Sequence, residues 1–138
     1  MIALHAPENS PRRPDGNLVV VEWPGALGMA EEIEIETSRG GDAPVHRTII
    51  WPAVDEGEVY VRSLRGAAGR WYREAIENPE VVLHVDGESI PARAVHAADE
   101  RSIERASAGL QRKYADSPHV ESMVRPEILD TTIRLEPR

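Results

Sequence analysis

The stretch Arg62-Ser63-Leu64-Arg65-Gly66-Ala67-Ala68-Gly69-Arg70-Trp71-Tyr72-Arg73 holds four arginines and no acid, in a 138-residue chain of formal net charge −8. It follows a strand-like run, Glu58-Val59-Tyr60-Val61, and leads into a helix-like run that Asn78-Pro79 stops. A strand, a basic glycine-containing loop and a helix start together make a phosphate holder. Free backbone N–H groups and the positive end of the helix dipole point at the ligand, and arginine forks supply matching charge. Arg62, Arg65 and Arg70 are the candidate ligands, with Ser63 contributing its backbone N–H if the strand ends there. Arg62→Ala and Arg65→Ala are both expected to weaken ligand binding with the fold intact.

Outward from this loop the patterns are mainly those of strands. Ile33 and Ile35 alternate with Glu32, Glu34 and Glu36, which predicts a half-buried strand with one acidic, solvated face. Ser38 to Asp42 reads as a hairpin loop, and residues 47–54 as the next strand, with Pro52 marking an edge, a bulge or its end. Residues 80–85 and 89–96 flank an Asp86-Gly87 turn and predict a second hairpin. Residues 131–136 alternate again and form the closing strand. Two helices interrupt the strands. One covers 69–78. The other is N-capped by Asp99 and buries Ile103, Ala106, Leu110 and Tyr114, with Arg112 and Lys113 at its C-terminal end. Ser117-Pro118 opens a short helix to Met123. Residues 1–17, broken by Pro7, Pro11 and Pro14, read as a flexible tail, and Leu18 to Glu22 as an edge strand. Residues 18–138 are then one domain. So many strands in so short a chain favour closure into a small barrel.

Composition removes several classes of function. The negative net charge and a pI near 5.1 argue against nucleic acid as a partner. Without cysteine there is neither a disulfide nor a thiolate metal site. His5, His46, His84, His96 and His119 show no metal-ligand spacing, so no metal is expected. No apolar run is long enough to span a bilayer and no secretory signal opens the chain, so the expectation is a soluble, cytoplasmic protein. Neither a nucleophile elbow nor a Walker loop is present, and no catalytic residue can be named. Trp51, Trp71 and Tyr72 are read as core first, because phenylalanine is absent and the core needs its aromatics from them.

Val61-Arg62-Ser63, then Gly66, Gly69, Arg70-Trp71-Tyr72 and Asn78-Pro79, resemble the flavin and deazaflavin oxidoreductases of split-barrel fold, a superfamily that includes pyridoxamine-phosphate oxidase. The closer resemblance is to an uncharacterised bacterial domain-of-unknown-function family sharing Thr48 to Trp51, Tyr60 to Ser63 and Arg70-Trp71-Tyr72. It covers the chain from about Ala30 onward. It implies a mainly β fold: a six-stranded antiparallel split β-barrel with Greek-key character and two flanking helices. It also implies a homodimer with FMN or a deazaflavin coenzyme of F-420 type at the interface. Carried over by position, Arg62, Ser63, Arg65 and Arg70 hold phosphate or ribityl, and Thr48, Ile49, Ile50 and Trp51 lie along the ring. The chain lacks the lysine that many flavin-binding members use and the loop proline of the deazaflavin branch. The implied activity is hydride transfer to or from a small organic substrate. The alternatives are a non-catalytic module that binds a flavin or another anionic ligand, or a cofactor-free dimeric barrel.

Overall fold

The computed structural model describes residues 23–138, so the expected tail and the Leu18 to Glu22 strand lie outside the described residues. The elements run α1 (Ala26–Met29), β1 (Ile33–Ser38), β2 (Val45–Ile50), β3 (Ala53–Asp55), β4 (Glu58–Val61), α2 (Arg70–Glu77), β5 (Glu80–Val85), β6 (Glu88–His96), α3 (Glu100–Lys113), α4 (Val120–Val124) and β7 (Ile133–Pro137). Short 3-10 turns precede α2, at Gly66–Ala68, and β7, at Pro126–Thr131.

All seven strands join one sheet in the order β2-β1-β5-β6-β7-β4-β3, and every pairing is antiparallel. The two outermost strands, β2 and β3, are joined by Trp51 and Pro52 alone. In a flat sheet seven strands wide the edges would stand about 29 Å apart at ~4.8 Å per step. The three Cα–Cα steps from Ile50 to Ala53 span at most about 11 Å. The sheet therefore curls until its edges approach, giving a half-barrel with helices beside it.

The expected six strands are seven because residues 47–54 do not form one strand. Proline carries no N–H for a ladder, and pairing stops at Ile50 and resumes at Ala53. Strand β4 ends at Val61, where the strand-like run of the sequence gives way to the basic loop. The helix count also grows. Besides α2, α3 and the short α4, a single turn at Ala26–Met29 and the two 3-10 turns carried no periodic signal in the sequence.

The concave face is filled by the alternating positions. Ile33 and Ile35 from β1, Val59 and Val61 from β4, Val81, Leu83 and Val85 from β5, and Ile133 and Leu135 from β7 pack with Leu27, Trp71 and Ala75. A smaller cluster of Ala53, Leu110, Tyr114 and Met123 seats α3 on the strand break. Gly109 lets α3 approach this closely, since a Cβ there would stand 3.2 Å from the Val54 carbonyl. The acidic row of β1 is partnered rather than free: Glu34 forms an ion pair with Arg47 at 2.7 Å, and Glu36 Oε1 lies 2.9 Å from His84 Nε2.

Helix α2 is fixed by a buried carboxylate. Glu74 accepts from the Thr37 hydroxyl at 2.8 Å and lies 2.9 Å from His46 Nδ1, joining α2 to β1 and β2. Glu74→Ala unpairs both groups and should lower stability by about 1–3 kcal/mol. Glu74→Gln, which keeps an acceptor, should lose less. An unchanged urea midpoint in the alanine variant would show that the network does not hold the helix.

Candidate functional site

One cavity of about 770 Å³ opens where β2, the loop after β4, the start of α2 and the α4 region meet. Its lining includes Thr48, Ile49, Ile50, Trp51, Arg62, Ser63, Arg65 and Arg70, so the structure brings all eight sequence-derived candidates together. Leu64, Gly69, Trp71, His119, Ser122 and Met123 complete it. The volume is in the range of pockets that take a drug-sized or coenzyme-sized ligand, about 300–1,000 Å³.

The loop is built by continuing the β4–β7 register after the backbone ladder stops. The last ladder pair is Val61 with Ile133. The next pairs are made through threonine hydroxyls. Arg62 Nε donates to Thr132 Oγ1 at 2.9 Å, and Ser63 N donates to Thr131 Oγ1 at 3.1 Å. Ser63 Oγ donates to the Gly66 carbonyl at 2.7 Å, and Gly66, at φ 68°, turns the chain toward α2. Both Ser63 donors are thus committed inside the protein, and its backbone N–H does not serve as the free ligand donor the sequence suggested.

Arg62 is 2% exposed. Besides Thr132 it donates to Ser107 Oγ at 2.9 Å, the Met123 carbonyl at 3.2 Å and the Ile103 carbonyl at 2.9 Å. All four acceptors are neutral. Burial pulls the guanidinium down to about 10, still far above neutrality, so Arg62 is a cation in the cavity wall with no carboxylate beside it. It cannot be truncated without unpairing α3, α4 and β7, so Arg62→Ala is not a clean test of binding.

Arg65 and Arg70 differ from Arg62. Both are exposed, and among the described residues neither makes an ion pair or side-chain hydrogen bond. Arg70 opens α2, whose first turn has no side-chain cap and no acid. The N–H groups at that end have no intrahelical partner. Arginine there opposes the helix dipole, an arrangement that an anion would relieve. Among the described residues, three arginines and no carboxylate line the cavity.

The opposite wall is flat and largely apolar. Trp51 stacks on Tyr114, centroids 4.6 Å apart and planes 21° from parallel. Tyr114 in turn donates to the carbonyls of Glu31 at 2.7 Å and Pro52 at 2.9 Å. Trp71 is both core and cavity wall, being buried against the sheet. His119, Ser122 and Met123 were not found from sequence. They lie about seventy residues from Trp51 with no spacing that ties them to it, and only the packing of α4 brings them there. His119 meets Trp51 edge to face at 6.4 Å.

Gly69 is required where α2 begins, because a Cβ there would collide with Ser63 Oγ. Gly69→Ala should cost about 1–3 kcal/mol as an overpacked site. The double variant S63A/G69A, which removes the colliding oxygen, should regain part of that loss. Additive losses in chemical denaturation would reject the collision as the cause.

No curated protein sequence matches the chain. Among solved structures it is similar to the conserved hypothetical protein Rv2991 from Mycobacterium tuberculosis. That likeness is 18% identical with TM-score 0.60, and it covers 94% of this chain and 86% of that one. The F420-H2 dependent reductase FDR-A is 14% identical with TM-score 0.58, over 77% of this chain and 94% of that one. The haem storage protein HutZ from Vibrio cholerae is 12% identical with TM-score 0.54, over 78% and 82%. At such identities the likeness shows the fold alone, a curled antiparallel sheet with helices beside it. The profile of the bacterial family described as "Uncharacterized protein conserved in bacteria (DUF2255)" matches residues 25–135. That span holds β1 to β6 and every cavity-lining residue, and the chain belongs to this family.

Proposed function

We propose that the cavity binds a flavin-type coenzyme, FMN or a deazaflavin coenzyme of F-420 type, by its phosphate and its ring. The protein is then an oxidoreductase acting on a small organic molecule. The observation that carries this reading is the charge of the cavity: three arginines and no acid among the described residues that line it, in a chain of net charge −8. Nothing in the packing of the fold needs Arg65 and Arg70 where they stand, and an anionic ligand does.

The residues present fit such a group. Arg65, Arg70 and the N–H groups opening α2 would hold the phosphate, with Arg62 adding positive potential from behind. Thr48 to Trp51 would lie along the ring, and the Trp51–Tyr114 stack keeps that wall flat. When bound, the coenzyme supplies the hydride chemistry, while the protein orients it, holds its charge and excludes water. This division of work accounts for a cavity without an acid–base constellation. The name of the F420-H2 dependent reductase FDR-A, which has a similar fold, agrees with a deazaflavin as one of the two coenzymes.

A homodimer belongs to the same reading. Strand β2 is an edge strand, and Val45 and Ile49 on its outer face are 58% and 60% exposed. Ile49 is also part of the cavity wall, so a second copy seated there would complete the site.

The test is fluorescence titration of the protein with FMN and with the deazaflavin coenzyme. A charge-assisted hydrogen bond contributes about 1.5–3 kcal/mol, so Arg65→Ala and Arg70→Ala should each raise Kd roughly 10- to 100-fold. Saturable binding weakened by both variants supports the site. No binding of either coenzyme to the native protein sinks the reading. Binding by a protein whose coenzyme stays inert both to nicotinamide donors and across a panel of reductants and acceptors would reassign it as a holding module.

A further inference from the structure

The described polar side chains of the cavity are not alike in what they offer. Arg62, Arg65 and Arg70 only donate hydrogen bonds. Thr48 and Ser63 stand on the wall beneath or beside them, and Ser63 is already committed. The hydroxyls of Thr48 and Ser122 can both donate and accept, and so can His119, whose imidazole does it from two separate nitrogens on a ring that reaches further from the backbone. Neither of its ring nitrogens makes a hydrogen bond among the described residues, although its backbone N–H is fixed by Ser117 Oγ at 3.1 Å. Its ring is set edge to face against Trp51 at 6.4 Å, and Trp51 is itself held by its stack with Tyr114. The Ser122 hydroxyl follows one turn later on the same lining.

We infer that His119 is the specificity residue of the ring end of this cavity: it hydrogen-bonds the polar edge of a planar heterocycle lying along Thr48 to Trp51. The inference rests on the coenzyme reading above and deepens it, because it fixes which end of the ligand lies where. The anionic tail goes to Arg65, Arg70 and the start of α2, and the donor–acceptor edge of the ring goes to α4. A fused heterocycle that presents both donors and acceptors suits an imidazole, whereas a guanidinium could satisfy only its acceptors. Trp51 supports the position twice, as the flat neighbour of the ligand and as the surface that holds the imidazole edge-on.

Two probes that share a ring and differ in the anionic tail separate the two ends. FMN and riboflavin share a ring, and the deazaflavin coenzyme and its phosphate-free ribityl form share another. With whichever ring the native protein binds, His119→Ala should weaken the phosphorylated and phosphate-free probes by a similar factor, about 3- to 10-fold for a lost neutral hydrogen bond. Arg65→Ala should weaken the phosphorylated probe alone. His119→Gln, which keeps a donor and an acceptor, should recover part of the loss. Equal affinities for His119→Ala and the native protein, while Arg65→Ala still weakens the phosphorylated probe, would overturn the inference and leave the coenzyme reading standing. If the native protein binds none of the four probes, the coenzyme reading falls and this inference with it. Thermal unfolding of His119→Ala should match the native protein, because an exposed ring without hydrogen bonds holds nothing in place.

Discussion

The guanidinium of Arg62 is the constraint on which the cavity depends. A buried cation is costly to desolvate, and the usual remedy is a carboxylate partner. Here the charge is spread over four neutral oxygens instead, from Thr132, Ser107, Ile103 and Met123. Those oxygens belong to the entry of β7, to α3 and to α4. One side chain at the end of β4 therefore fixes the elements that form the back of the cavity. Because no acid cancels it, the same charge contributes a positive potential to the space in front.

The seam of the sheet is the second constraint, and it shares residues with the same wall. The Pro52 carbonyl has lost its ladder partner and accepts instead from Lys113 Nζ at 2.7 Å and Tyr114 Oη at 2.9 Å. Lys113 Nζ also donates to the Ala30 carbonyl at 2.6 Å, so the chain's one lysine closes α1, the strand break and the end of α3 together. Burial lowers it to about 8, with Glu31 opposing that shift. Tyr114 completes the arrangement by stacking on Trp51. The break that splits one expected strand into two is thus also what turns Trp51 out of the ladder and into the cavity.

The basic loop divides its labour in a way that residue type alone does not reveal. Arg62 and Ser63 face inward and continue the β4–β7 register through Thr132 and Thr131. Arg65 and Arg70 face the open space. All were equivalent candidates in the sequence, since each is a polar residue in one short basic segment. What separates them is the partner strand about seventy residues away, whose two adjacent threonines present hydroxyls at the right register.

The elements whose signal is local are legible from the order of residues alone. The alternation of Ile33 and Ile35, the Asp86-Gly87 turn, the Asp99 cap that accepts from Ser102 at 3.1 Å, and the Asn78-Pro79 stop each depend on neighbours within a few residues. The basic loop stood out for the same reason, as a run of like charge in an acidic chain. Long-range packing sets the seventh strand, the single turn of α1, the burial of Arg62 and the arrival of His119 and Ser122 on the cavity lining with Trp51. Each of these depends on groups far apart in the chain, and the curl of the sheet that unites them is a property of how strands pair, which no short window of residues contains.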